Sequence, residues 1–188
     1  MNLHTQIFVN PGFCRKLFNL INKLFVGGIF SFCLHSNMEE KVSYPRFKTY
    51  GLELDEGTRT IRYNNAGEPF TLSLAQVKKG KRLFLAACGT CHVGGLTKPN
   101  PNLNLDLKTL SLAIPPRDNI RSLVNFMIAP KTYDNRTSIA EIHPNIECAD
   151  LWTKMRTFSE RDLIDIAGHI LLQPKILGEK WGGGKIYY

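Results

Sequence analysis

Residues 88–92 read Cys-Gly-Thr-Cys-His. Two thiols separated by two residues, with an imidazole directly after the second, constrain a fold tightly, because all three groups must serve one partner. Few partners suit them. A thioredoxin-type pair needs a strand–helix setting, and none precedes Cys88. A structural zinc ion could recruit Cys88, Cys91, His143 and Cys148. Structural zinc ligands usually come as two short clusters, however, and about fifty residues separate these two pairs. Two unreactive core cysteines are the plainest alternative. The remaining partner is a c-type haem: the thiols add across its two vinyl groups, and His92 lies under the iron as an axial ligand.

The rest of the chain calls for such a group. Residues 58–73, "TRTIRYNNAGEPFTLS", alternate apolar and polar residues on both sides of "NNAGE", the pattern of a hairpin with a loop longer than two residues. Ser73 and Gln76 form the capping box of a helix that runs into Cys88, with Leu74, Val77, Phe84 and Ala87 on its inner face. Residues 97–117 are rich in proline and asparagine and show no periodicity. Asp118 or Asn119 caps a helix through Met127 that Pro130 stops. Ser159 and Asp162 form a second capping box, with Phe158 and Leu163 as its hydrophobic staple; this helix is expected to end before Pro174. The tail "GEKWGGGKIYY" is expected to have little structure of its own. Short helices separated by a structureless connection of about twenty residues make a poor core by themselves. A flat apolar disc in the middle gives them a surface to pack on. The expected fold is therefore mainly α, with a small N-terminal β-hairpin and long loops around one covalently bound haem.

Charge and cysteine usage narrow the function. The net charge of the 188 residues is +8. Residues 52–188 carry 18 basic and 14 acidic side chains, or +4, scattered without runs. That argues for no nucleic-acid partner. Five cysteines make an odd count, which fits no disulfide-stapled secreted scaffold. Residues 1–38 contain no acid, and residues 24–34 form an apolar run with a cationic flank before it. The run is shorter than the roughly 20 residues of a membrane span and reads as a targeting segment. Residues 1–51 are thus expected to be a processed leader and linker, and residues 52–188 the haem domain.

The second axial ligand is left open by pattern alone. Met127, His143, Met155 and His169 all lie downstream. Met127 and Met155 sit at apolar-face positions, where methionine is ordinarily core. His169 lies in the apolar stretch "IAGHILL" and reads as a hydrogen-bonded core histidine. His143, in "EIHPN", stands at the end of a short element before a proline. Methionine would raise the redox potential, and a second imidazole would keep it low.

The stretches "GKRLFLAACGTCHVGGLTKPNPNLNLDLKTLSLAIPPRDNI", "EIHPN" and "AGHILLQPKILGEKWGGGKIYY" closely resemble the cytochrome c-550 family, the extrinsic haem subunits of photosystem II in cyanobacteria and many algae. The similarity spans about residues 52–188. It implies a c-type cytochrome fold with one covalent haem c, held by Cys88 and Cys91 through thioether bonds and by His92 and His143 as iron ligands. Two histidine ligands leave no open iron position, so no enzyme activity is implied. The resemblance further implies a peripheral place on the lumenal face of the thylakoid membrane. The implied partners there are the photosystem II core and other extrinsic lumenal subunits, where the family supports the manganese–calcium cluster and its calcium and chloride requirement. An ordinary soluble electron-carrying cytochrome with His/Met ligation is the rival. The tail argues against that rival, because Trp181, Tyr187 and Tyr188 around a triple glycine suit insertion into a larger assembly. Cys148 is expected to be a lone thiol serving as a small core residue.

Overall fold

The computed structural model describes residues 54–183. The leader 1–51 and the tail residues Tyr187 and Tyr188 lie outside the described residues.

A four-residue turn of helix, α1 (Glu56–Arg59), is capped by Asp55, whose carboxylate accepts the Thr58 N–H at 2.7 Å. It leads into the hairpin β1 (Thr60–Arg62) and β2 (Pro69–Thr71), paired antiparallel with Ile61 opposite Phe70. The alternation works as expected. Ile61 points inward and is buried, and Tyr63 stacks on Phe70 with ring centres 5.7 Å apart. Gly67, at φ +81°, closes the loop, a left-handed position that costs glycine little.

Four further helices follow: α2 (Leu74–Ala87), α3 (Leu107–Ser111), α4 (Ile120–Ile128) and α5 (Glu160–Leu177). Both expected capping boxes form, Ser73 with Gln76 and Ser159 with Asp162. Asn119 is the residue that caps α4, through a 3.0 Å bond from the Ser122 N–H to its side chain. Ile120, Leu123, Val124 and Met127 then recur at helical spacing and are all buried.

The centre of the described residues is the packing of α2 on α5. Gly80 of α2 lies against the α5 backbone so closely that a Cβ there would stand 2.1 Å from the Asp165 carbonyl oxygen. Gly168 of α5 likewise admits the Leu72 side chain, 2.7 Å from where its Cβ would be. Phe84, Leu163, Ile166, Ala167 and Ile170 fill the seam. At its edge Lys79 bridges Asp162 at 2.7 Å and the buried Asp165 at 3.3 Å, and Gln76 donates to Asp165.

Five local expectations are corrected. Leu74 is exposed rather than inward-facing, because it sits in the first turn of α2, before the helix reaches α5. The connection 97–117 holds α3, capped by Asp106; with five residues and one buried side chain, Leu110, it is too short to leave a period. Helix α5 continues past Pro174 to Leu177. Proline there removes one N–H, but Ile176 packs on the core and Lys175 donates to the Thr60 carbonyl, which outweighs one missing bond near a helix end. The described part of the tail, through Gly183, is also more ordered than its composition suggests. Trp181 is 4% exposed, and its indole N–H donates to the Leu105 carbonyl at 2.9 Å. Cys148 is buried as expected but is not a lone thiol; the free thiols among the described residues are Cys88 and Cys91.

Candidate functional site

The end of α2 delivers the two thiols. Cys88 caps the helix, its N–H bonded to the Phe84 carbonyl at 2.8 Å, and the chain then curls through one more turn. Cys91 and His92 both donate their N–H groups back to the Cys88 carbonyl, at 3.1 and 2.9 Å. The C-x-x-C-H spacing therefore occupies a compact turn, with Cys88 half-buried, Cys91 exposed and His92 directed into the protein. Burial and the neighbouring Cys91 push the Cys88 thiol up to about 12, so it stays protonated.

His143 arrives from the opposite side on a loop held by hydrogen bonds. Its N–H donates to the Ile139 carbonyl at 2.9 Å, and Ile146 and Glu147 tie the loop to the end of α4 through the Met127 and Ile128 carbonyls. Asn145, fully buried, is the internal brace. Its amide donates to the Ala140 carbonyl at 2.7 Å and the His143 carbonyl at 2.6 Å, and its oxygen accepts the Cys148 N–H at 2.7 Å. Trp152 adds an indole bond to the same Ala140 carbonyl. The Phe126 ring packs edge-on against the His143 imidazole, and the Arg117 guanidinium covers Phe126, 4.2 Å from its centre.

The two imidazoles meet. Their ring centres are 6.3 Å apart, with planes inclined at 54°. A metal–imidazole bond is about 2 Å long, so two opposed bonds, each continued by about 1.1 Å to the ring centre, span about 6.2–6.4 Å. The observed spacing suits one metal between them.

Tautomers suit it too. At His143, Nδ1 is 2.9 Å from the Pro144 carbonyl, an acceptor only, so Nδ1 carries the proton. At His92, Nδ1 lies 3.1 Å from the Thr97 hydroxyl. That hydroxyl spends its single proton on the Leu103 carbonyl at 2.6 Å, so it accepts from His92. Both rings are thus Nδ1–H, with the Nε2 lone pair free for a metal. Burial lowers both imidazoles' pKa: His92 to about 4, helped by the nearby His143, and His143 in the same direction despite the Pro144 carbonyl. Neutral rings are the form that ligates. The donor set fits a haem: His92 and His143 would ligate its iron, and Cys88 and Cys91 would take its vinyl groups.

The other candidates lie elsewhere. Met127 and Met155 are buried in the hydrophobic core. His169 is a core histidine, as its sequence setting indicates: it is paired with Gln173 and flanked by Phe84 and Trp181, with ring centres 4.9 and 5.9 Å away. No group of three or more His, Cys, Asp or Glu side chains converges among the described residues, so the zinc set Cys88, Cys91, His143 and Cys148 is not assembled. Sequence reasoning missed Thr97 and Asn145, which orient the two histidines. Only the position of Asn145, two residues after His143 in "EIHPN", hints at its role.

The family model for the cytochrome c-550 domain matches residues 52–188. A protein named photosystem II extrinsic protein V from Emiliania huxleyi is 59% identical over 137 residues, covering 73% of this chain and 84% of that protein. The protein of the same name from Trichormus variabilis is 61% identical over the same length and coverage. The crystal structure of cytochrome c549 is similar at 48% identity and a TM-score of 0.67, covering 68% of this chain and 99% of that one.

Proposed function

The chain belongs to the cytochrome c-550 family, and on that premise we propose that it is an extrinsic subunit of photosystem II. It binds peripherally on the lumenal side of the thylakoid membrane and stabilises the oxygen-evolving manganese–calcium cluster together with its calcium and chloride requirement. Its partners are the photosystem II core and the neighbouring extrinsic subunits. Cys88 and Cys91 would hold one haem c covalently, His92 and His143 would ligate its iron, and the protein acts as a haem-bearing structural subunit rather than an enzyme.

The observation that supports this reading most is the His92–His143 pair, 6.3 Å between ring centres with both Nδ1 atoms satisfied. When bound, the haem supplies a one-electron couple and a large apolar surface. The chain's own residues hold it closed: the Pro144 carbonyl and the Thr97 hydroxyl fix the ring orientations, and Asn145 keeps the His143 loop in place. Two imidazoles rather than an imidazole and a thioether keep the potential low.

Denatured holoprotein is expected to retain a haem-sized mass adduct that a Cys88→Ala, Cys91→Ala double variant loses. Low-spin spectra should lack the weak red band of an iron–methionine bond, and His143→Met should raise the potential. Added back to photosystem II depleted of its extrinsic subunits, the holoprotein is expected to restore oxygen evolution at low calcium and chloride. Zinc in place of iron would sink the ligand assignment, and failure to rebind would sink the assignment to photosystem II.

A further inference from the structure

The bond from His92 to Thr97 is the first link of a longer chain. Thr97 also donates its backbone N–H to the Asn104 side-chain oxygen at 2.9 Å. The Asn104 amide in turn donates to the Gly182 carbonyl at 3.0 Å. Gly182 returns its N–H to the Gly94 carbonyl at 2.9 Å, two residues after His92. Alongside, the Trp181 indole donates to the Leu105 carbonyl, and the Leu105 N–H donates to the Gly95 carbonyl at 2.8 Å. A Cβ on Gly95 would stand 2.7 Å from the Trp181 ring, and its φ of +83° is a left-handed conformation, so this contact requires glycine twice over. The residues just after the haem motif are thus clasped to the C-terminal segment by backbone and side-chain bonds, with Asn104 as the buckle.

We propose that Thr97 and Asn104 are positioning residues that fix the tautomer and electron-donating strength of His92 and couple both to the seating of the C-terminal segment at Gly182. This rests on the ligation proposed above. The direction follows from the donor and acceptor roles. Because the Thr97 hydroxyl accepts the Nδ1 proton, it draws that proton away from the ring and makes Nε2 the stronger donor, which favours oxidised iron. Asn104 holds the Thr97 backbone, so loosening Gly182 slackens Thr97 and weakens the bond to His92. Seating or unseating the C-terminal segment therefore moves the redox potential with no change of ligand.

The test uses full-length holoprotein, and its first measurement separates the two claims. Electron paramagnetic resonance of the wild type is expected to show bis-imidazole iron; a signal of another ligand set overturns the ligation reading before any variant is compared. With that signal in hand, Thr97→Val is expected to raise the midpoint potential by up to about 59 mV, a tenfold shift in a one-electron equilibrium. Thr97→Ser should restore the wild-type value. Asn104→Leu should shift the potential the same way by a smaller amount, and should add nothing in the Thr97→Val background. A chain ending at Trp181 should behave as Asn104→Leu does. An unmoved potential in Thr97→Val, no rescue by serine, or additive shifts overturn the proposal. Should Thr97→Val fail to fold, the wild type still decides: in the reduced, diamagnetic state the His92 Nδ1 proton should exchange slowly with solvent, and fast exchange refutes the coupling.

Discussion

Gly80 on α2 and Asp165 on α5 lie closer than any side chain would permit, with the Asp165 carbonyl oxygen 2.1 Å from where a Cβ on Gly80 would be. This contact joins the helix that ends in Cys88 to the longest helix among the described residues, so the orientation of the haem motif depends on a missing methyl group.

Gly80→Ala should be costly although alanine favours helix. The obstacle is backbone, which cannot rotate aside as a side chain tip could, so the two helices must separate. Overpacking costs typically about 1–3 kcal/mol, and a backbone clash belongs at or above the upper end. Chemical denaturation of the holoprotein measures it; a stabilised variant would show that the helices do not pack this closely.

Asn145→Leu is expected to damage the site more than the core. Leucine is similar in size but leaves the Ala140 and His143 carbonyls and the Cys148 N–H without their amide partner. An unsatisfied buried group costs about 1–3 kcal/mol, although Ala140 retains the Trp152 indole. On the proposed ligation, the expected result is lower stability together with partial loss of His143 as an iron ligand, read as a high-spin fraction in the absorption spectrum. Destabilisation with fully low-spin iron would mean that Asn145 braces the loop without governing His143.

The C-terminal segment is expected to contribute in two ways. Trp181→Ala should destabilise the fold by about 3–5 kcal/mol, because the indole is core and not an exposed anchor. Deleting residues 184–188 instead should leave thermal stability and the haem spectrum unchanged while weakening binding to photosystem II, as measured by release–reconstitution. Equal rebinding by the shortened chain would remove the tail from the docking surface.

Acid should act through the bridge at the edge of the helix seam. Lys79 and the Ser159 hydroxyl and N–H hold Asp162 at about 2, below its ordinary 3.8. A carboxylate depressed in the folded state contributes stability that is complete above about pH 4 and is lost as pH falls toward 2. Lys79 itself is raised by the same partners, so its contribution holds below its ordinary 10.5 and fades only in strong alkali. Lys79→Met should therefore flatten the loss of stability between pH 4 and 2, measured by urea unfolding at each pH. Parallel curves for the two proteins would show that the bridge contributes nothing to acid sensitivity.

What residues 54–183 reveal in sequence and what they do not divides by distance along the chain. The capping boxes at Ser73 and Ser159, a cap at Asp118 or Asn119, the hairpin around "NNAGE" and the Cys88–Cys91–His92 turn are all legible, because each depends on hydrogen bonds or side-chain spacing within a few residues. The aliphatic face of α4 is legible for the same reason. Short α3 is not, since one buried residue leaves no period. The course of α5 past Pro174 is hidden because its support comes from Thr60 and Gly57, more than a hundred positions away. Pattern alone could not choose His143 over Met127, Met155 or His169, and it took the family resemblance to single it out. All four are residues that can face an interior, and only folding decides which interior each one faces: three enter the packed core, whereas Asn145 and the end of α4 turn His143 toward His92. Trp181 is the sharpest case. Beside three glycines it reads as an exposed anchor, yet Gly95, Asn104 and Leu105 have already formed a slot for it. Local chemistry specifies which turns and helices form; the long-range closure of loops upon one another determines which side chains share a site.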